Sequence, residues 1–307
     1  MQSTEIRYFL AVAHTGSLSA ASKQLFVAVS AISRQIQRLE ERIGAKLFER
    51  HARGMVLNDA GQILENHVLK SMMDMEHAIA EIKGLNAVRR TVIRMACTDG
   101  PAFDLLPQLF IRFRQRNPGV MFSLNVGTAL QVAEMIRSGE SELALQFSLT
   151  AERGVEVIAT FPAPVRMVMR ADHPLATTAL QLTDLHPYPL AMNEPGSTIR
   201  QLFDLSCRMS GIFLEPALSC NRFSTLYDFM LHTPGAIVAC SHFSILYKAR
   251  RDGLCVKPVN IEQLSQRTLQ LQTVAGKRRS AMLSQFIEFV RDELTTEGDV
   301  FRTEFGL

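Results

Sequence analysis

The 307-residue sequence has no uninterrupted apolar run long enough to cross a bilayer, for which about 20 apolar residues are needed. Glu5 and Arg7 stand where a secretion signal would require its apolar segment. Together these absences predict a soluble, cytoplasmic protein with no membrane partner. Cysteine is scarce too: Cys97, Cys207, Cys220, Cys240 and Cys255 are odd in number, scattered and never in a C-x-x-C spacing. That pattern argues against a disulfide framework and against a zinc site. The thiols read as small core residues, with a redox-sensing pair as the alternative.

Catalytic signatures are also missing. There is no G-x-S-x-G elbow, no G-x-G-x-x-G and no H-E-x-x-H, and the "GKRRS" at Gly276 lacks the upstream glycine of a phosphate loop. His232 and His242 are isolated and read as surface or satisfied core residues. No cofactor or metal is called for, and a small-molecule enzyme is the lesser reading.

What is present is unevenly placed. Through Arg90 there are 12 Lys+Arg against 9 Asp+Glu, and from Thr91 onward 21 against 21, so the whole net charge of +3 lies in the first third. That third reads as helices: Thr4 to Ala13, Ser17 to Leu25, and a third from Val29 or Ser30 to a C-cap at Gly44. Short helix, tight turn and longer helix make a helix-turn-helix outline. In the third helix Ile32, Ile36, Leu39 and Ile43 form one apolar stripe. Ser30, Ser33, Arg34, Gln37 and Arg38 project elsewhere, where a recognition helix reaches base edges. Arg42 reads as a solvated partner of Glu41 or a neighbour. The following "AKLFERHARGMVLND" reads as a two-stranded wing whose Arg50 and Arg53 meet phosphates or the minor groove. From Asn58 to about Gly84 a proline-free helical period places Leu64, Val68, Met72, Met75, Ile79 and Ile82 on one seam, capped by Asn58 or Asp59. Such a seam is expected to pair with a second copy of the chain, the alternative being one long helix on its own globular domain.

Beyond Arg90 short β-type runs alternate with helical ones. Strands are expected over Val92 to Ala96, Met121 to Val126 and Leu143 to Phe147, with helices over Ala102 to Gln115 and Ala129 to Ser138. A second set has strands over Val165 to Met169, Leu190 to Met192, Pro216 to Cys220 and Ala236 to Ala239, and helices over Thr198 to Met209, Thr225 to Leu231 and Phe243 to Arg250. Leu269 to Val274 and a closing helix, Ser280 to Leu294, return to the first sheet. The alternation implies βαβ units, parallel sheets and two lobes with a cleft between them.

The stretch "GSLSAASKQLFVAVSAISRQIQRLEERIGAKLFERHARGMVLNDAG" closely resembles the winged helix-turn-helix of LysR-type transcriptional regulators, with "SLSAAS", "AISRQIQRLE" and "LFER" in order and at the right spacing. A weaker resemblance, in "LLPQLFIRFRQRNPGV" and "EPGSTIR", extends to the family's effector domain. The resemblance implies an α/β effector domain of two Rossmann-like, periplasmic-binding-protein-like lobes behind an all-α winged helix-turn-helix and a long linker helix. The corresponding segments are 1–58, a linker at 59–90, and 91–307, with lobe I at 91–163 and 267–300 and lobe II at 164–266. It further implies a homodimer through the linker helices, commonly a homotetramer, on a double-stranded DNA operator, a small-molecule effector, and RNA polymerase where the protein activates. By position, Ser30, Ser33 and Arg34 match the family's base- and backbone-contacting residues, and Arg50 and Arg53 its wing. One departure is Val29, where the family often has a glutamine that pairs with adenine; valine offers only a thymine methyl contact or DNA shape.

In this layout the effector pocket is lined by strand C-termini and helix N-termini. The candidates are Cys97, Thr98, Asp99 and Gly100, Gly127 and Thr128, Phe147 and Ser148, Asn193, Ser197 and Thr198, and Asn221 and Arg222. A free Asp99 facing the cleft would favour an amine, and with Arg222 an amino-acid-like zwitterion; the alternatives are an N-cap for Asp99 and a salt bridge for Arg222.

Overall fold

Ser3 accepts a hydrogen bond from the Ile6 N–H and so starts α1 (Thr4–Thr15), which Gly16 ends in the left-handed conformation. Ser17 does the same for α2 (Leu18–Leu25), and α3 (Val29–Ile43) ends at a left-handed Gly44. The computed structural model describes residues 3–51, 54–84, 91–149, 154–276 and 279–307. They fall into two compact units, Met1–Lys83 and Gly84–Leu307.

In the first unit, Phe9 and Val12 of α1 and Ala21 of α2 bury against Ile32, Ile36 and Leu39 of α3. Phe48 closes the cluster, its ring centre 5.4 Å from that of Phe9. Ile43 departs from expectation: it is exposed, and Glu40 is buried in its stead. The Glu40 carboxylate accepts from the Leu47 N–H and from Lys46 Nζ, both at 2.9 Å, so the last turn of α3 turns a polar group inward to hold the chain leaving it. That chain forms an antiparallel hairpin of β1 (Phe48–His51) and β2 (Gly54–Leu57), paired from Phe48↔Leu57 to His51↔Gly54. Helix α4 (Asp59–Gly84) follows. Asn58 is its cap: its Oδ1 accepts from the Gly61 N–H and its Nδ2 donates to the Lys46 carbonyl, both at 2.9 Å. Gly61 lies so close to the Leu47 carbonyl that a Cβ would come within 2.1 Å of that oxygen. Along the seam Val68 is buried and Leu64 and Met72 half-buried, whereas Met75 and Ile79 are exposed, as are Ile63 and Leu69 beside it. The Ile82 side chain lies outside what is described.

The second unit holds two five-stranded sheets. The first lobe begins with β3 (Thr91–Cys97), α5 (Asp99–Phe103), α6 (Leu105–Arg116), β4 (Val120–Val126), α7 (Ala129–Ser138), β5 (Leu143–Ser148) and β6 (Val155–Pro162). The second lobe takes β7 (Arg166–Arg170), β8 (Leu190–Asn193), α8 (Thr198–Met209), β9 (Leu218–Cys220), α9 (Phe223–His232), β10 (Ile237–Cys240), α10 (Lys248–Arg251) and β11 (Leu254–Pro258). After α11 (Glu262–Ser265) the chain returns as β12 (Thr268–Val274) and closes with α12 (Ala281–Phe305). The strand orders are β4-β3-β5-β12-β6 and β11-β7-β10-β8-β9.

Both sheets are mixed, which corrects the expectation of parallel ones: β12 is antiparallel to β5 and β6, and β7 to β10 and β11. Strands β6 and β11 have no counterpart in the sequence expectation. The first has a largely exposed face, and the second is short and ends in Lys257-Pro258, so neither shows a clear apolar run. Buried Asp104 divides the expected helix over 102–115 into α5 and α6. The same carboxylate accepts from the N–H groups of Tyr247 and Lys248 at 2.7 and 3.0 Å. The expected helix over 243–250 is accordingly a single 3₁₀ turn, His242–Ser244, followed by α10. The closing helix runs eleven residues past its expected end because Phe301 is buried and stacks on Phe305, and because Arg112 of α6 pairs with Glu293 and Glu297 at 2.6 and 2.9 Å.

Two predictions concern this scaffold. Gly61→Ala should destabilise the first unit by about 1–3 kcal/mol, because α4 must move off the Leu47 carbonyl; urea unfolding of the variant checks it. His242, stacked between Phe243 and Phe301, is held neutral: burial, then the charges of Arg302 and Arg166, push its pKa from 6.5 down to about 3. Between those values the folded chain binds fewer protons here than the unfolded chain. Its contribution is therefore complete above pH 6.5 and lost as pH falls toward 3, with a slope of up to about 1.4 kcal/mol per pH unit. His242→Leu should flatten that slope in denaturant melts across the acid range.

Candidate nucleic-acid interface and ligand cavity

Helix α3 sorts its residues by face. Opposite Ile32, Ile36 and Leu39, the side chains of Ser30, Arg34, Gln37 and Arg38 are exposed and Ser33 is half-buried. The spacing of three and four residues stacks them on adjoining rows of the helix. Arg42 is paired with Glu5 at 2.8 Å, whereas Arg34 and Arg38 have no carboxylate partner among the described residues. The start of α3 is apolar: Ala28 caps it with no side-chain hydrogen bond, Val29 is exposed, and Phe26 is 94% exposed in the left-handed conformation at φ 56°. Phe26 escaped the sequence reading; a left-handed phenylalanine has no sequence signature, since the turn is set by the geometry of α2 and α3. The Arg50 backbone lies in β1, with its side chain outside what is described, and Arg53 lies outside the described residues.

In the second unit a cavity of about 390 Å³ opens between the lobes. Eleven of the expected residues line it: Thr98, Asp99, Gly100, Gly127, Thr128, Phe147, Asn193, Ser197, Thr198, Asn221 and Arg222. Cys97 and Ser148 do not. Cys97 is fully buried in the core, and Ser148 is buried next to Phe147 on the opposite face of β5, as strand alternation requires. Gly100 is close enough to its neighbours that a Cβ would sit 2.6 Å from Ser244 Oγ and 2.9 Å from the Phe147 ring. Thr128 builds a capping box with Gln131 at the start of α7, and Ser197 caps α8 through the Arg200 N–H. Both helix starts meet at the cavity.

Asp99 is not free. Its Oδ2 accepts from the Phe223 N–H at 2.5 Å, capping α9 of the opposite lobe, and its Oδ1 lies 3.3 Å from Arg222 Nη1. The amine reading rested on an unengaged carboxylate and loses its basis. The charge that sequence reasoning missed is Arg267. Its Nε donates to Thr198 Oγ1 at 2.8 Å and its guanidinium carbon lies 3.7 Å from the centre of the Phe147 ring. Burial pushes its pKa down to about 9. The available signal was a lone arginine entering the otherwise uncharged strand "TLQLQTV". Three of the five cysteines are held away from thiolate: burial pushes Cys97 and Cys240 up to about 12 and Cys207 to about 11.

A winged helix-turn-helix with a basic face free of carboxylate partners among the described residues, followed by a two-lobed domain around a cavity, defines a ligand-responsive DNA-binding regulator. The chain belongs to the LysR family of transcriptional regulators: residues 86–295 match the LysR substrate binding domain and residues 3–62 the bacterial regulatory helix-turn-helix protein, lysR family. It is 28% identical over 295 residues to the RuBisCO operon transcriptional regulator of Allochromatium vinosum, covering 94% of this chain and 95% of that one. It is 26% identical over 308 residues to the probable nitrogen assimilation transcriptional activator of Synechococcus elongatus, covering 99% and 98%. The fold matches full-length CbnR in complex with its target DNA at a TM-score of 0.64 and 19% identity, over 95% of this chain and 99% of that one. A full-length OxyR variant from Pseudomonas aeruginosa matches at 0.60 and 17% identity, over 96% and 94%. The Allochromatium vinosum and Synechococcus elongatus relatives, which match over nearly the whole chain, are both named as regulators of transcription. No described helix is long and apolar enough to cross a membrane.

Asp99→Ala should destabilise the second unit by about 1 kcal/mol through loss of the cross-lobe cap, read as a lower unfolding midpoint, with the far-ultraviolet spectrum unchanged.

Proposed function

We propose that this chain is a cytoplasmic regulator that reads an operator with α3, holds it with the wing, and alters that grip when a small molecule fills the interlobe cavity. The observation carrying the first part is the exposed row of Ser30, Arg34, Gln37 and Arg38, set opposite a buried stripe and free of carboxylate partners among the described residues. Ser33 flanks that row, and Arg50 and Arg53 supply sequence-independent phosphate contacts from the wing. Val29 and Phe26 add an apolar edge suited to a thymine methyl.

The second part is supported by the cavity between the lobes, where polar groups such as Thr128, Asn193 and Thr198 share the lining with apolar Val126, Phe147 and Ile199, and by the cross-lobe pairing of Asp99 with α9. A ligand that fits between the lobes changes the angle at which that bond forms. The exposed Met75 and Ile79 of α4 support a dimer through paired linker helices, and a pair of such dimers would span two operator half-sites. The target DNA in the CbnR complex is a precedent from a structural neighbour.

Retardation of the chain's own upstream DNA on a gel tests the reading; turnover of a small substrate with no retarded DNA would reverse it. Arg34→Ala should relax preference at one base pair and weaken operator binding by about 1–3 kcal/mol. Arg53→Ala should weaken all sequences alike and flatten the salt dependence. Selection from a randomised operator pool at two salt concentrations separates the two effects.

A further inference from the structure

The interlobe cavity holds a charge that no carboxylate among the described residues balances. Arg267 is 4% exposed. Its Nε is taken by Thr198 Oγ1 and its flat face by the Phe147 ring, while its Nη1 is buried with no hydrogen-bond partner among the described residues. Neither carboxylate of the cavity lining serves it: Asp99 is engaged by Arg222 and the Phe223 N–H, and Glu194 is exposed. A buried cation without a counter-charge is strongly unfavourable. Its presence in the wall of an accessible cavity marks the place where an anion completes the site.

We propose that Arg267 is an anion clamp and that the effector of this chain is a small organic carboxylate. The inference rests on the cavity being the effector site. Charge selects the class: one guanidinium matches the single negative charge of a carboxylate, whereas a phosphate monoester brings about 1.5 to 2 charges at neutral pH and leaves a surplus buried. Geometry agrees. With Nε anchored and the plane held against Phe147, the far end of the fork is preset for a planar, two-oxygen partner. The starts of α7 and α8 at Thr128 and Thr198 add positive partial charge. Val126, Ile199 and Phe223 supply apolar wall for a short hydrocarbon body.

The test uses the full-length protein, with thermal unfolding and calorimetric titration against acetate, pyruvate and benzoate at fixed ionic strength. Each is compared with its neutral amide, and benzylamine and glycerol 3-phosphate are included. At least one carboxylate should raise the unfolding temperature where its amide does not. Arg267→Met should abolish that shift, weakening binding at least about thirtyfold. Arg267→Lys, which keeps the charge and loses the fork, should weaken it about tenfold. Without ligand, Arg267→Met should unfold at a higher temperature than the native chain, since an unbalanced buried charge is gone. The proposal is overturned if amides stabilise equally, if benzylamine or glycerol 3-phosphate binds in preference, if no carboxylate binds, if Arg267→Met keeps the shift, or if that variant is less stable unliganded. Gel retardation in the same samples separates the two claims. A chain that retards operator DNA yet ignores carboxylates refutes the anion class alone; a chain that retards no upstream DNA refutes the regulator reading.

Discussion

The two segments that pass between the lobes lie side by side, joined by hydrogen bonds from Ala163 N–H to the Arg267 carbonyl at 2.9 Å and from Val165 N–H to the Leu264 carbonyl at 2.8 Å. The cavity depends on this pairing. Two adjacent crossings confine relative motion of the lobes to bending about one line, and they set Arg267 at the hinge. From there its side chain touches Thr198 of one lobe and Phe147 of the other. Asp99 bridges the same gap at the cavity wall through Phe223 and Arg222. A ligand between these contacts would act on groups already shared by both lobes.

The first unit uses charge in two ways. Glu40, buried at the end of α3, holds the chain that leads to the wing by binding the Leu47 N–H and Lys46. Arg42 is paired with Glu5. Removing these partnered charges from account leaves Arg34 and Arg38 as the cations of α3 without a carboxylate among the described residues. The positive excess of the first third thus has a direction, and a net charge of only +3 conceals a focused basic face.

Much of this was legible in the sequence because it is local. The apolar periods, the serine and asparagine caps and Gly44 place α1 to α4 within a residue or two, and the pocket residues follow from the rule that strand ends and helix starts line a cleft. The departures have physical explanations too. Ile43 continues the period of α3 but lies beyond the helices that cover it. The helix expected over 243–250 is interrupted by Asp104, which is some 140 residues away in the chain. Strand β6 exposes much of one face and β11 is short and charged at its end, so neither carries the apolar signature of a core strand. Ser148 and Phe147 adjoin in sequence, yet strand alternation sends only one to the cavity.

By itself the sequence determined the order of elements, the family, the polar row on α3 and most of the cavity lining, because periodicity, capping and spacing act over a few residues. The tertiary structure alone decided the charge of the cavity. Asp99 reads as a helix cap or a free carboxylate until α9 arrives from the other lobe to bind it, and Arg267 is one arginine among many until the second crossing buries it. Whether a charge is spent or left over depends on partners 69 to 124 residues away, and a one-dimensional pattern does not record them.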